Sequence, residues 1–133
     1  MPEIMSFNEL LFQAVRKGDV TKVTRLIADG TDVNALNSSS RTPLVEAAAY
    51  EHPKIVKLLL AHGANPNASD VNGITALMEA ASGNDLETMR ILLRHGAQID
   101  IQDKFGDTAL VYATAQKKDD AVSFLKGLKD FNS

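Results

Sequence analysis

The sequence predicts an all-α fold, a solenoid of stacked helix-turn-helix units joined by β-turn or hairpin connectors. Three observations predict it. First, Ala14, Ala47, Ala80 and Ala113 follow one another at intervals of 33 residues, and the same interval separates Gly30, Gly63 and Gly96, then Asn34, Asn67 and Asp100, then Thr42, Thr75 and Thr108. A fixed period of this length, held without an insertion, marks an array in which each unit packs only on its neighbours. Second, the middle units carry two helix signals each. Third, the stretches between units, such as Ala64 to Thr75, are rich in Asn, Asp, Ser and Gly, the chemistry of turns.

The first unit, about residues 6–35, opens on Ser6-Phe7-Asn8-Glu9, a capping-box pattern with Met5 and Leu10 placed as a hydrophobic staple. The second, about 36–68, shows the logic best. Thr42 before Pro43 starts a helix, because the hydroxyl caps orphan N–H groups and Pro43 has none to lose. Leu44, Ala47 and Ala48 then fall at helical spacing, the alanines admitting a close neighbour. Pro53 opens a second helix, and Ile55, Val56, Leu59 and Leu60 form its apolar stripe. Gly63 supplies the left-handed residue that ends it. The third unit, about 69–101, repeats this grammar from Thr75-Ala76-Leu77 to Gly96. In the fourth, about 102–133, Lys129 stands where the terminating glycine is expected, so the last helix ends near Gly127 or continues beyond it. The tail containing Phe131 is read as partly disordered.

Thr42-Pro43-Leu44, Thr75-Ala76-Leu77, Thr108-Ala109-Leu110, Leu59-Leu60-Ala61-His62-Gly63-Ala64 and Leu92-Leu93-Arg94-His95-Gly96-Ala97 closely resemble the ankyrin repeat. The resemblance covers about residues 7 to 126 and implies a β-turn finger before two antiparallel helices in each unit. Departures cluster at the ends: Lys22 and Arg25 replace the apolar Ile55 and Leu58 of the second unit, and Lys126 replaces Leu60 and Leu93. End units show one stacking face to water, so the chain reads as one domain, 1–133, with both ends closed.

The composition narrows the function. The 133 residues are 44% hydrophobic and 23% charged, with no apolar run near the ~18 residues that span a bilayer. The start, Met1-Pro2-Glu3, lacks the features of a secretory signal, so the expected location is cytoplasmic, and Asn37-Ser38-Ser39 and Asn67-Ala68-Ser69 are read as chance glycosylation patterns. There is no cysteine, which excludes disulfides and thiolate chemistry, and the net charge of −3 argues against nucleic acid as a partner. No metal or cofactor is expected.

Motifs of catalysis such as HExxH, Walker A, GxGxxG and GxSxG are missing from the sequence. His62 and His95 are one repeat apart, roughly 8–10 Å, too far to share a metal at ~2 Å bonds, and each reads as a donor near a helix C-terminus. His52 falls in the loop between helices. Glu46, Glu79 and Tyr112 share one register and form an expected strip, with Gln13 in the same place of the first unit. A small enzyme or ligand-binding protein using that strip is the alternative function. Arg16, Lys17, Lys22 and Arg25 read as the solvated face of an end unit. In the ankyrin family some asparagines at the place of Asn34 and Asn67 are hydroxylated; here both are read as shaping their turns.

The leading function is a non-catalytic protein-interaction module, monomeric by itself, acting as an adaptor, inhibitor or regulatory partner. The resemblance implies recognition through turn tips and first-helix ends on the concave face. By register these are Ser38, Ser39 and Arg41; Val71, Asn72 and Ile74; Lys104, Phe105 and Asp107; and Arg16, Lys17, Ala49, Tyr50, Ser82 and Gln116. Tyr50, Ile74, Arg41 and Phe105 are the expected anchors, since binding energy concentrates in aromatic, large apolar and arginine side chains. The apolar tips Val71, Ile74 and Phe105 are expected to gain nothing in the free protein.

Overall fold

The computed structural model describes residues 4–131, with side chains to Leu128. Its helices are α1 (Phe7–Lys17), α2 (Val20–Ala28), α3 (Pro43–Ala49), α4 (Pro53–Ala61), α5 (Ala76–Ser82), α6 (Leu86–Arg94), α7 (Ala109–Ala115) and α8 (Asp119–Phe131). Odd-numbered helices form one layer, α1 on α3 on α5 on α7, and even-numbered helices form the other. The threonines cap as the sequence predicts: Thr42, Thr75 and Thr108 accept from the backbone N–H of Val45, Met78 and Val111. At α1 only half the expected capping box is formed, the Glu9 N–H donating to Ser6 Oγ at 3.1 Å.

The inner helices α3, α5 and α7 are seven residues long, too short to be stable alone. Stacking supplies the stability: Ala47, Ala80 and Ala113 are fully buried, and Leu44, Leu77, Ile55, Leu59 and Leu92 fill the space between layers. Each such aliphatic side chain contributes about 1.5–3 kcal/mol on burial.

Gly30, Gly63 and Gly96 take φ of 96°, 93° and 95°, the left-handed geometry that turns the chain out of each outer helix. Helix α8 continues past Gly127 to Phe131, although Lys129 replaces the glycine. The Phe131 side chain, in the tail read as partly disordered, lies outside the described residues.

Asn34 and Asn67 do more than shape their own turns. The Asn34 Nδ2 donates to the Gly63 carbonyl at 3.1 Å and its Oδ1 accepts from the Asn65 N–H at 2.9 Å. Asn67 repeats this on Gly96 and Gln98 at 3.1 and 2.8 Å. Each asparagine therefore satisfies the end of the next unit's outer helix. On the opposite edge, the His52 Nε2 donates to the Arg16 carbonyl at 3.0 Å, and Asn84 Oδ1 accepts from the Ala121 N–H at 3.0 Å. These bonds all cross between neighbouring units.

Candidate functional site

Three fingers precede the inner helices, and one side chain organises each. Asn37 Oδ1 accepts from the N–H groups of Ser39 and Arg41, Asp70 Oδ1 from those of Asn72 and Ile74, and Asp103 Oδ1 from those of Phe105 and Asp107. Backbone bonds from Asn37, Asp70 and Asp103 to the carbonyls of Arg41, Ile74 and Asp107 close the turns. Gly73, at φ 79°, allows the second finger to lie against the third: a Cβ there would sit 2.9 Å from Asp103 Cα. The Lys104 N–H donates to the Asn72 carbonyl at 3.0 Å across that joint.

The finger side chain then meets the inner helix of its own unit, and the partner differs each time. In the second unit Asn37 Nδ2 donates to Glu46 Oε1 at 3.0 Å. In the fourth, the Tyr112 hydroxyl donates to Asp103 Oδ2. In the third, two carboxylates occupy the positions, Asp70 and Glu79, and neither can donate. Arg41, reaching over from the preceding finger, supplies the missing charge. Its Nε lies 3.1 Å from Asp70, one terminal nitrogen 3.1 Å from Glu79 and the other 3.5 Å from Glu46. Arg16 adds a looser contact to Glu46 at 3.8 Å.

This network shifts the titration of its members. Burial pushes the Glu79 carboxyl up, and Arg41 only partly opposes that. The Tyr112 hydrogen bond holds the Asp103 carboxyl below the usual range. Burial, followed by the neighbouring Asp103, pushes the Tyr112 phenol up.

The expected strip of Glu46, Glu79 and Tyr112 thus exists, but its polar atoms bond to the fingers. Among the described residues no group of His, Asp and Glu is arranged to hold a metal ion. His95 Nδ1 bonds the Ile91 carbonyl at 2.9 Å, tying the ring to its helix end.

Two expected anchors lie elsewhere than anticipated. The Arg41 side chain is 19% exposed, drawn inward by three carboxylates rather than presented at a tip. Ile74 corrects the expectation that apolar tip residues gain nothing in the free protein: it is half-buried and packs against the core. As the closing residue of its finger, just before the helix cap Thr75, it leaves the turn toward the stack.

The other tips are open. Ser38, Ser39, Asn72, Lys104, Lys17 and Gln116 are exposed, as are Tyr50, Val71 and Phe105. Ser82, Phe105, Asp107 and Gln116 come together along a shallow groove of about 310 Å³, with Asp103, Val111, Tyr112 and Ala115. Arg16 and Ser38 line a second groove, of about 610 Å³, beside Met5, Phe12 and Leu36.

Sequence reasoning missed Leu36 and Val111, both exposed. Val111 shares its register with Val45 and Met78, which are buried, so periodicity reads it as core. It is exposed because among the described residues no inner helix packs on the far side of α7. For Leu36 a signal was present, an apolar residue where the other units have Ser69 and Gln102.

No helix among the described residues is long and apolar enough to cross a membrane. No curated protein matches the chain closely enough to count as a relative. The family model for ankyrin repeats (3 copies) matches residues 7–70 and 66–133. Proteins built this way are generally protein–protein interaction modules and typically non-catalytic. Fingers, paired helices and family match agree, and the chain belongs to the ankyrin-repeat family.

Proposed function

We propose that the chain is a single domain of four repeats, at about 6–35, 36–68, 69–101 and 102–133, that binds another protein through its concave face. It works as a non-catalytic adaptor, inhibitor or regulatory partner, cytoplasmic and monomeric by itself. One observation carries the reading: Tyr50, Val71 and Phe105 are 50%, 71% and 76% exposed on finger tips and a first-helix end. The backbone beneath the two finger tips is held by the Asx bonds of Asp70 and Asp103. Rigid presentation of large apolar groups costs little ordering entropy on binding and favours recognition.

The framework beneath explains itself by packing, and these side chains do not. Tyr50→Ala with Phe105→Ala is the discriminating variant, because both side chains are largely outside the core. Partner capture from native extract is expected to be lost while thermal unfolding stays nearly unchanged. A variant that captures the same proteins as the wild type would refute the assignment of the face.

A further inference from the structure

The groove between the third finger and α7 has walls of two kinds. Phe105 and Val111, 76% and 42% exposed, provide apolar surface beside Ala115. Asp107 and Asp103 provide negative charge. Asp103 is spent internally, on the N–H groups of Phe105 and Asp107 and on the Tyr112 hydroxyl. The Asp107 carboxylate has no hydrogen-bond or ion-pair partner among the described residues, and it is half-buried at the groove wall.

The surroundings reinforce that sign. Asp103, Asp107 and, from the neighbouring unit, Glu79 all stand close enough to act on the Tyr112 hydroxyl at the groove wall. Arg41 is already shared among three carboxylates, and the Lys104 ammonium lies over the Phe105 ring, 5.3 Å from its centroid. An incoming apolar group meets the Phe105 ring, which the Lys104 ammonium covers on one side. An incoming cation meets an uncompensated carboxylate.

We propose that this groove takes an extended segment of a protein partner in which an apolar side chain stands next to an arginine or lysine. The apolar group lies on Phe105 and Val111, and the cation pairs with Asp107. Ser82 and Gln116 border the same groove and offer hydroxyl and amide partners to the segment's backbone. The complementarity of charge selects a basic segment over an acidic one, since like charges at a contact oppose association. The inference rests on the proposed concave-face reading and specifies the partner's chemistry within it.

The test uses the full chain and three labelled, unstructured peptide probes followed by fluorescence anisotropy. One alternates leucine with arginine, one leucine with glutamate, and one glycine with arginine. The leucine–arginine probe is expected to bind, more weakly as salt rises, with the other two at least about tenfold weaker. Phe105→Ala is expected to weaken it about tenfold, and Asp107→Asn about two- to fivefold with a flatter salt dependence. Equal binding of the leucine–glutamate probe, no binding of any probe, or indifference to both substitutions overturns the proposal. So does dimerisation in light scattering that Phe105→Ala abolishes, which would make a second copy the occupant.

A photo-cross-linker placed at Gln116 in native extract separates this proposal from the broader reading. Cross-links that depend on Phe105 but map to an acidic partner segment leave the interaction face standing and refute the basic-segment chemistry. Cross-links independent of Tyr50 and Phe105 refute both.

Discussion

Replacing Arg41 by alanine removes the only cation shared by Asp70, Glu79 and Glu46 among the described residues. Its size of effect follows from burial. The Asp70 and Glu46 side chains are 5% and 9% exposed, Arg41 19% and Glu79 23%, so solvent screens the cluster poorly. An exposed pair contributes about 0–1 kcal/mol, whereas removing one partner of a buried pair costs about 3–5 kcal/mol. With two contacts at 3.1 Å and partial exposure, the loss should be about 2–4 kcal/mol. At this chain length that lowers the melting temperature by roughly 10 °C. Urea unfolding reads it as a lower midpoint at constant slope. Most of the loss is the penalty of two facing carboxylates, so Arg41→Met combined with Asp70→Asn and Glu79→Gln should recover the greater part. Arg41→Ala that costs less than about 0.5 kcal/mol, the level of an ordinary surface change, would refute the reasoning. Failure of the triple variant to recover would refute the carboxylate explanation in particular.

Further outcomes follow from the same geometry. Gly73→Ala should cost more than Gly106→Ala: both hold positive φ, worth about 1–2 kcal/mol of strain, but only Gly73 has the backbone of Asp103 within 2.9 Å of a new Cβ. Equal unfolding midpoints for the two variants would contradict the finger-on-finger contact. Asn67→Ala should lose about 1 kcal/mol in urea unfolding by stripping the partners of the Gly96 carbonyl and Gln98 N–H. The depressed Asp103 carboxyl contributes stability present above its unfolded value near 3.8 and lost as pH falls through its folded value. Tyr112→Phe should therefore flatten the acid limb of the stability profile. Glu79, raised from 4.5, works in the opposite sense: its contribution is present below that value and is lost as pH rises through the folded one. Glu79→Gln should remove that loss and leave stability near neutrality equal or higher, measured by urea titration across pH.

The period in the sequence encodes what stacking repeats: the alanines, the cap threonines and the terminating glycines all fall where expected. It could not encode how one unit compensates the next. Arg41 lies 29 residues before Asp70 and farther still from Glu79, in a different register from either, so only the packed fingers reveal that an arginine of one unit answers two acids of another. Ile74 was misread for a related reason, because a tip residue and a finger-closing residue look alike in sequence. Val111 shows a third limit, since identical register gives burial only where another inner helix follows. The exposure of Phe105 and Tyr50 was legible because both are large side chains at positions where framework packing asks for nothing.

The division between a packed framework and an open recognition face is tested most directly by pairing two readouts on one variant, Tyr50→Ala/Phe105→Ala. The expected result is a melting temperature within about 2 °C of wild type, as for surface changes, together with loss of partner capture. Capture that survives, or a melting temperature that falls as far as it does for Arg41→Ala, would contradict it.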